Sequence, residues 1–398
     1  MSGWRCTQLT SGSEAGRFHA HSYYDLPVFD TAGRRLVLHR MTMQGRDIRP
    51  EDAIDIGVVD IDGDRTFTPL ATSTAWSWQQ GPMAQWIAGS QRIVFNTRTK
   101  GRFHARIVDT HSGEQRDLPR TVYAAAPEGH VFYGLDMRRL EHLRPGYGYA
   151  TGEAMPDFEP APRDNGVWCL DESGPPVLLI SIARIRAVYL RRASLIERAW
   201  HRAGRVVYWL NHLKLSPDGN RFTVKLRWRR IGGNWSDAQS VSLTIRSDGR
   251  DVRVLGRGLS HVIWLNSGTL YGWRTGQAII LADRDAGVAS AQVFAPGLIR
   301  QNVHLRHLPP GSSDVLSEAV FDTPYAETVD LLHYRTGDQA GAAAVARIAR
   351  FAGHVPARGA LRCDLHPCPS PDGRRIVVTS LADGGRQVYL LERGANRI

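Results

Sequence analysis

Two stretches of this chain are nearly the same sentence: Leu215-Ser-Pro-Asp-Gly219-Asn-Arg-Phe-Thr-Val and Pro369-Ser-Pro-Asp-Gly373-Arg-Arg-Ile-Val-Val. Pro presets φ at the second turn position, Asp hydrogen-bonds its own backbone, and Gly takes the left-handed position. An apolar, β-branched run follows, so each stretch reads as strand, tight turn, strand. Weaker copies occur at Asp30-Thr-Ala-Gly33, Ala88-Gly89-Ser, Pro127-Glu-Gly129, Asn266-Ser-Gly268 and Pro309-Pro-Gly311, each before another apolar run. Most intervals between these glycines are about 40 to 60 residues, the length of a four-stranded propeller blade.

Each unit also carries an outer strand, for example Ile56–Asp60, Ala105–Asp109, Gly166–Asp171, Val241–Ile245, Ala278–Asp283 and Gln387–Leu391. The expected fold is all-β: a seven-bladed β-propeller of four-stranded blades, one domain over residues 1–398, with a helical insertion between blades 3 and 4. The count falls to six if the Gly311 unit is not a blade. The long interval from Gly129 to Gly219 holds the insertion. Within it, Ile182 to Arg205 places Ile185, Val188, Leu195, Ile196 and Ala199 at helical spacing among seven arginines, which reads as one amphipathic helix.

Composition limits the partners. The chain has 398 residues, 42% hydrophobic and 22% charged, an ordinary globular balance. Its net charge is +11, and only three of its fifty cationic residues are lysines: Lys100, Lys214 and Lys225. Arginine pairs bidentately with carboxylate and phosphate, so an anionic partner suits this excess; codon bias is the plain alternative. No nucleic-acid module accompanies the charge. No stretch approaches the roughly 18 apolar residues of a membrane span. Cys6, Cys169, Cys363 and Cys368 form no C-x-x-C pair, and the first residues hold no apolar run of signal-peptide length. A cytoplasmic location is expected, or a periplasmic one for a mature form. The sequence leaves the oligomeric state open.

Counting seven residues back from four turn glycines gives His212, His261, His304 and His366. With 15 histidines in 398 residues, each position has about a 4% chance of being His, so four hits in consecutive units form a pattern. The strand before the turn is the innermost of a blade, so these side chains converge on the central channel. Asp364 shares the strand face of His366. Imidazoles with a carboxylate suit a divalent transition ion, and they also suit acid–base work near neutral pH. Any single inner-strand His could equally be a structural hydrogen-bond donor.

Leu210-Asn-His212-Leu-x-x-Ser-Pro-Asp-Gly, Ser260-His261-x-x-Trp264, Asp364-Leu-His366-Pro-x-x-Ser-Pro-Asp-Gly and the opening His21-x-Tyr23-Tyr24 block resemble the oligogalacturonate lyases. Those are seven-bladed propellers with relatives acting on other uronate polymers such as ulvan. Trp76-Ser-Trp78-Gln79-Gln80-Gly81 and Arg144-Pro-Gly-Tyr147-Gly-Tyr149 resemble the branch found with bacterial polysaccharide gene clusters.

The resemblance implies a metal-assisted β-elimination on a uronate oligo- or polysaccharide. It assigns His261, His304, Asp364 and His366 to a divalent metal, manganese first, with zinc, calcium or no metal as alternatives. It makes His212 the base; the chemistry then suggests Arg144 as a carboxylate clamp and Tyr147 or Tyr149 as a proton donor. His21, Trp76, Trp78 and Gln80 in these blocks, with Arg138 from the arginine group near the proposed channel, are the expected substrate contacts. The family's Gln-x-x-His-x-His run reads here Leu361-x-x-Asp364-x-His366; Asp can still ligate and Leu cannot. Packing between blades is the ordinary alternative for Trp76 and Trp78, and a plain aromatic loop for Gly-Tyr-Gly-Tyr. Two other readings compete: a non-catalytic propeller that binds an anionic glycan or a protein, and a Tol-type scaffold that shares the Ser-Pro-Asp-Gly repeat but not the histidines.

Overall fold

The computed structural model describes residues 3–310, 316–336 and 343–394. Seven four-stranded antiparallel sheets follow one another along the chain as the blades of a propeller. Their innermost strands are Phe18–Ala20, Gln85–Trp86, Ala124–Ala125, Val206–Leu215, Ser260–Asn266, Leu305–His307 and Cys368–Pro369. The turn at Gly311 lies outside the described residues. The strands flanking it, Leu305–His307 and Glu318–Asp322, pair with each other, so the sixth unit is a blade and the count is seven.

The turns form as their residues dictate. In blade 4, the Gly219 amide donates to Ser216 O (2.9 Å), and Gly219 has φ 69°. The Ser216 hydroxyl donates to Asp218 Oδ1 (2.6 Å). Blade 7 repeats the motif, with the Gly373 amide on Ser370 O and φ 68°. Gly268 differs: Asn266 pairs directly with Thr269, and the Gly268 amide donates to Asn266 Oδ1 (2.9 Å), without a left-handed φ at the glycine.

Three features depart from the sequence reading. The runs read as outer strands are the third strands of their blades; a fourth strand lies outside each. In blade 7 that fourth strand is Trp4–Gln8, which pairs with Gln387–Arg393 from the other end of the chain. The ring is therefore closed by its two ends. Last, the long interval holds two insertions. One, residues 135–165, lies inside blade 3 and carries α1 (Met137–Leu143). The other, between blades 3 and 4, is two helices, α2 (Ile182–Arg192) and α3 (Leu195–Ala203).

The break between α2 and α3 falls where the Ser194 hydroxyl accepts the Glu197 amide and starts a new helix. It turns the expected apolar stripe apart. Ile182, Ile185, Val188 and Tyr189 are buried, with Tyr189 against Trp228 of blade 4 (5.1 Å between ring centres). Leu195 and Ile196 instead stand 79% and 84% exposed. Among the described residues, no helix is long and apolar enough to cross a membrane.

Apolar side chains between adjacent blades carry the ring. Phe222 of blade 4 is fully buried and meets Tyr133 of blade 3 with ring centres 5.6 Å apart. Phe222→Ala is expected to cost about 3–5 kcal/mol, because a close-packed interface leaves a cavity. Urea unfolding would show it as a lower midpoint at unchanged slope.

Candidate functional site: a histidine cluster at the channel

His212 and His261 lie on inner strands, His304 and His366 just before theirs, and the four come together around Tyr23 and Tyr24. His261 and His304 have ring centres 4.1 Å apart, and His304 and His366 4.6 Å. One ligand atom each from His304, Asp364 and His366 falls within 4.8 Å of the others, and all three residues are buried. Tyr24 lies against this cluster, 4.9 Å from His304 and stacked on His366 at 5.8 Å. His212 stands beside it, stacked on Tyr23 (5.7 Å, 17°) and edge-on to Tyr147 (5.8 Å).

The backbone is held in a costly conformation at three of the four positions. His212, His261 and His366 have φ of 54°, 46° and 48°. A left-handed non-glycine residue costs roughly 1–3 kcal/mol and persists only where its surroundings impose it, most often at functional sites. The strand ladders are interrupted at His212 and His261, between Asn211 and Lys214 and between Ser260 and Ile263. These bulges release the two histidines from strand alternation and aim them inward.

Hydrogen bonds fix which nitrogen each ring presents. Asp322, fully buried, accepts both the backbone amide (2.9 Å) and Nδ1 (2.9 Å) of His304. His261 Nδ1 donates to Val303 O (3.0 Å). Both rings thereby keep Nε2 as the lone-pair nitrogen. His366 Nε2 is buried without a protein partner, 3.8 Å from Asp364 Oδ2. Asp364 Oδ2 also accepts from Arg362 Nε (2.9 Å), and Arg362 in turn donates to the Tyr147 hydroxyl (3.2 Å).

The local electrostatics favour the neutral form of His212, His261 and His366. Burial pushes His212 well below the ordinary imidazole value, and the Lys225, Arg227 and Lys214 charges push the same way. Burial does the same to His261, with help from His304, Lys214 and Lys225. His366 is lowered by burial, then by His304, His21 and Arg362. Tyr147 moves the opposite way from a simple buried phenol. Burial opposes its ionisation, but the Arg362 and Arg144 guanidiniums outweigh it and hold the phenol below its usual value.

The other expected site residues divide. Arg144 joins the cluster's edge, its guanidinium 4.6 Å over the Tyr147 ring and 3.9 Å over Trp235. His21 lies behind His366, with Nδ1 on Ser22 O (2.7 Å) and Nε2 buried without a partner. Gln80 donates to the Tyr123 hydroxyl, which also accepts the His212 amide (3.1 Å), so Gln80 supports His212 from behind. Tyr149 is turned away: fully buried, it shares a hydrogen bond with Asn96 Nδ2 (2.7 Å) in blade 2. Trp76 is 1% exposed, with its indole N–H on Asp52 O, and Trp78 packs edge-on against it (4.8 Å). Trp76 thus packs in the core, while Trp78 is half-buried and lines a cavity with His21, Asp364 and His366. Arg138 pairs with exposed Glu153 on the surface.

The loop carrying Arg144 and Tyr147 is tied to α1 by Glu141. Its carboxylate accepts the amides of Gly146 (3.0 Å) and Gly148 (3.1 Å). Residue 148 must be glycine, since a Cβ there would sit 2.2 Å from Met137 O. Burial raises Glu141 to about 7. An acid raised on folding binds its proton more tightly in the native state, so its contribution falls as pH rises from the unfolded value near 4.5 towards 7. Glu141→Gln should flatten the stability profile across that window, a slope that thermal unfolding at several pH values would measure.

Several members of the site carry no mark in the sequence. Asp322, Tyr123 and Arg362 reach it through the ring rather than through the repeat. Tyr23 and Tyr24 stood in the His21 block without an assigned role.

The fold is a seven-bladed propeller, with His304, Asp364 and His366 grouped beside Tyr24. No family model matches the sequence, and no curated protein does. Solved structures do match. An oligogalacturonate lyase in complex with manganese superposes with a TM-score of 0.60 at 15% identity, over 98% of this chain and 94% of that one. An oligogalacturonate lyase from Vibrio parahaemolyticus gives 0.58 at 13%, over 97% and 93%. The resemblance read from the sequence thus holds for the fold along nearly the whole chain.

Proposed function

We propose that this protein is a polysaccharide lyase that cleaves a uronate-containing glycan by β-elimination at the histidine cluster. The observation that carries the reading is the buried group of His304, Asp364 and His366, whose ligand atoms lie within 4.8 Å of one another, with the His261 ring 4.1 Å from that of His304. The donor set fits a divalent transition ion: His304 and His261 present Nε2, and the buried His366 Nε2 has no protein partner. Those three rings and Asp364 would hold the ion; the first of the matched lyases is itself a manganese complex. When bound, such an ion would neutralise a uronate carboxylate and so acidify the neighbouring C5 proton.

The chain's own groups supply the rest. His212, neutral and beside the cluster, accepts the C5 proton. Arg144 and Arg362 present positive charge to the carboxylate, an interaction that strengthens as enolate-like charge develops. Tyr147, held below its usual pKa by the same two guanidiniums, delivers a proton to the departing C4 oxygen. The C4–O bond breaks and an unsaturated sugar remains.

One observation favours a second reading, a propeller that binds an anionic glycan without cleaving it. Asp364 is engaged by Arg362, and Leu361 offers no ligand. Incubation with manganese and a panel of 4-linked uronate glycans separates the two. Ultraviolet-absorbing unsaturated product supports the lyase. Binding without product, unaffected by chelator, supports the second reading and removes the first.

A further inference from the structure

Two of the three lysines of this arginine-dominated chain lie together under the histidines. Lys214 and Lys225 are 5% and 6% exposed and line a small cavity of about 20 Å3 with Tyr24, His212, Thr223 and Ser242. Lys214 has partners: the Tyr24 hydroxyl (2.9 Å) and Asp25 (3.5 Å). Lys225 donates to Leu259 O (2.8 Å), and among the described residues no carboxylate pairs with it. Its charged neighbours are Arg227, Lys214 and Arg144. Three further polar atoms on the cavity wall, Thr223 Oγ1, Ser242 Oγ and His212 Nδ1, are buried without a protein partner.

We infer that this cavity is a binding site for a single small anion of halide size, held by the Lys225 and Lys214 ammonium groups with the Thr223 and Ser242 hydroxyls. A buried cation without a counter-charge is costly, and either sheds its proton or keeps an anion close. Hydroxyls can turn their protons to an anion, as Thr223 and Ser242 are free to do. The volume admits one particle the size of water and excludes a carboxylate on a sugar ring. The size also explains the residue choice: a compact ammonium fits the wall of such a cavity where a planar guanidinium would fill it. A bound anion would accept from His212 Nδ1, leaving Nε2 as that ring's lone pair.

This anion site is independent of the lyase reading, and its test needs no substrate. Crystals grown in sodium bromide should show one anomalous peak in the cavity between Lys225 and Lys214. The thermal unfolding midpoint at fixed ionic strength should rise on replacing gluconate with chloride or bromide, as expected for a ligand of the native state. The halide midpoint should move at least tenfold in Lys225→Met, and also in Ser242→Ala, which keeps the inference testable should the lysine variant not fold. Water density alone, or equal unfolding in gluconate and halide, overturns it. A bromide peak without any thermal response marks an adventitious ion only, and overturns it equally.

Discussion

His212→Ala is expected to lower kcat of the proposed elimination about a thousandfold, within the range that general-base removal usually costs. Metal content should not change, because His212 lies outside the His304, Asp364 and His366 group. KM should change little, since the substrate carboxylate is assigned to the cationic side of the site rather than to this ring. The pH profile should carry the environment's signature. Burial and the Lys225, Arg227 and Lys214 charges hold the imidazole neutral well below its ordinary value. A base stays active above its pKa, so the acidic limb of kcat/KM should fall below pH 6.5, leaving the rate flat from there towards neutrality. Initial rates of unsaturated product between pH 4 and 8 measure both effects. A variant retaining a tenth of the activity would remove His212 from the role, and an acidic limb above pH 6.5 would contradict the electrostatics.

The fold was legible because its signal is local and repeated. Ser-Pro-Asp-Gly dictates a turn wherever it occurs, and seven turns at blade spacing leave few architectures. The helical insertion was half legible. Ile185 and Val188 follow the helical period to a buried face, but Ser194 caps a second helix and leaves Leu195 and Ile196 in solvent. Periodicity alone does not register a cap that restarts the phase. The pairing of Trp4–Gln8 with Gln387–Arg393 was invisible, because both are ordinary alternating strands and nothing local names a partner so far away.

The site divides along the same line. The histidines showed in the sequence because they recur at one offset from a turn. Their left-handed backbone and the bulges beside His212 and His261 did not, because those follow from the ring's convergence on the channel. Trp76 and Trp78 differ from each other in a way the sequence does not mark. A Trp-x-Trp motif suggests sugar stacking; one indole N–H reaches Asp52 O and the other Arg46 O, but Trp76 sits in the core while the half-buried Trp78 lines a cavity with His21, Asp364 and His366. Residue type alone does not tell the buried Trp76 from the half-buried Trp78.

Asp322 is the residue whose loss should separate metal binding from the rest of the machinery. It touches no proposed substrate position; it accepts the His304 amide through Oδ1 and His304 Nδ1 through Oδ2, both at 2.9 Å. In Asp322→Asn one of those oxygens becomes an NH2 facing another N–H. Either the NH2 faces the backbone amide and that bond is lost, or it faces the ring, which then loses its hydrogen bond, flips, or places its proton on Nε2, the nitrogen assigned to the ion. Removing such a support typically weakens metal affinity about 10–100-fold. Asp322→Asn should therefore show a manganese dissociation constant raised by that factor in calorimetric titration, with activity recovered at saturating metal. His366→Ala, which deletes a ligand outright, should not recover. A purely structural Asp322 would lower thermal stability and leave metal affinity unmoved. Unchanged affinity in both variants would take the ion out of this cluster and leave the lyase reading without the group that neutralises the uronate carboxylate.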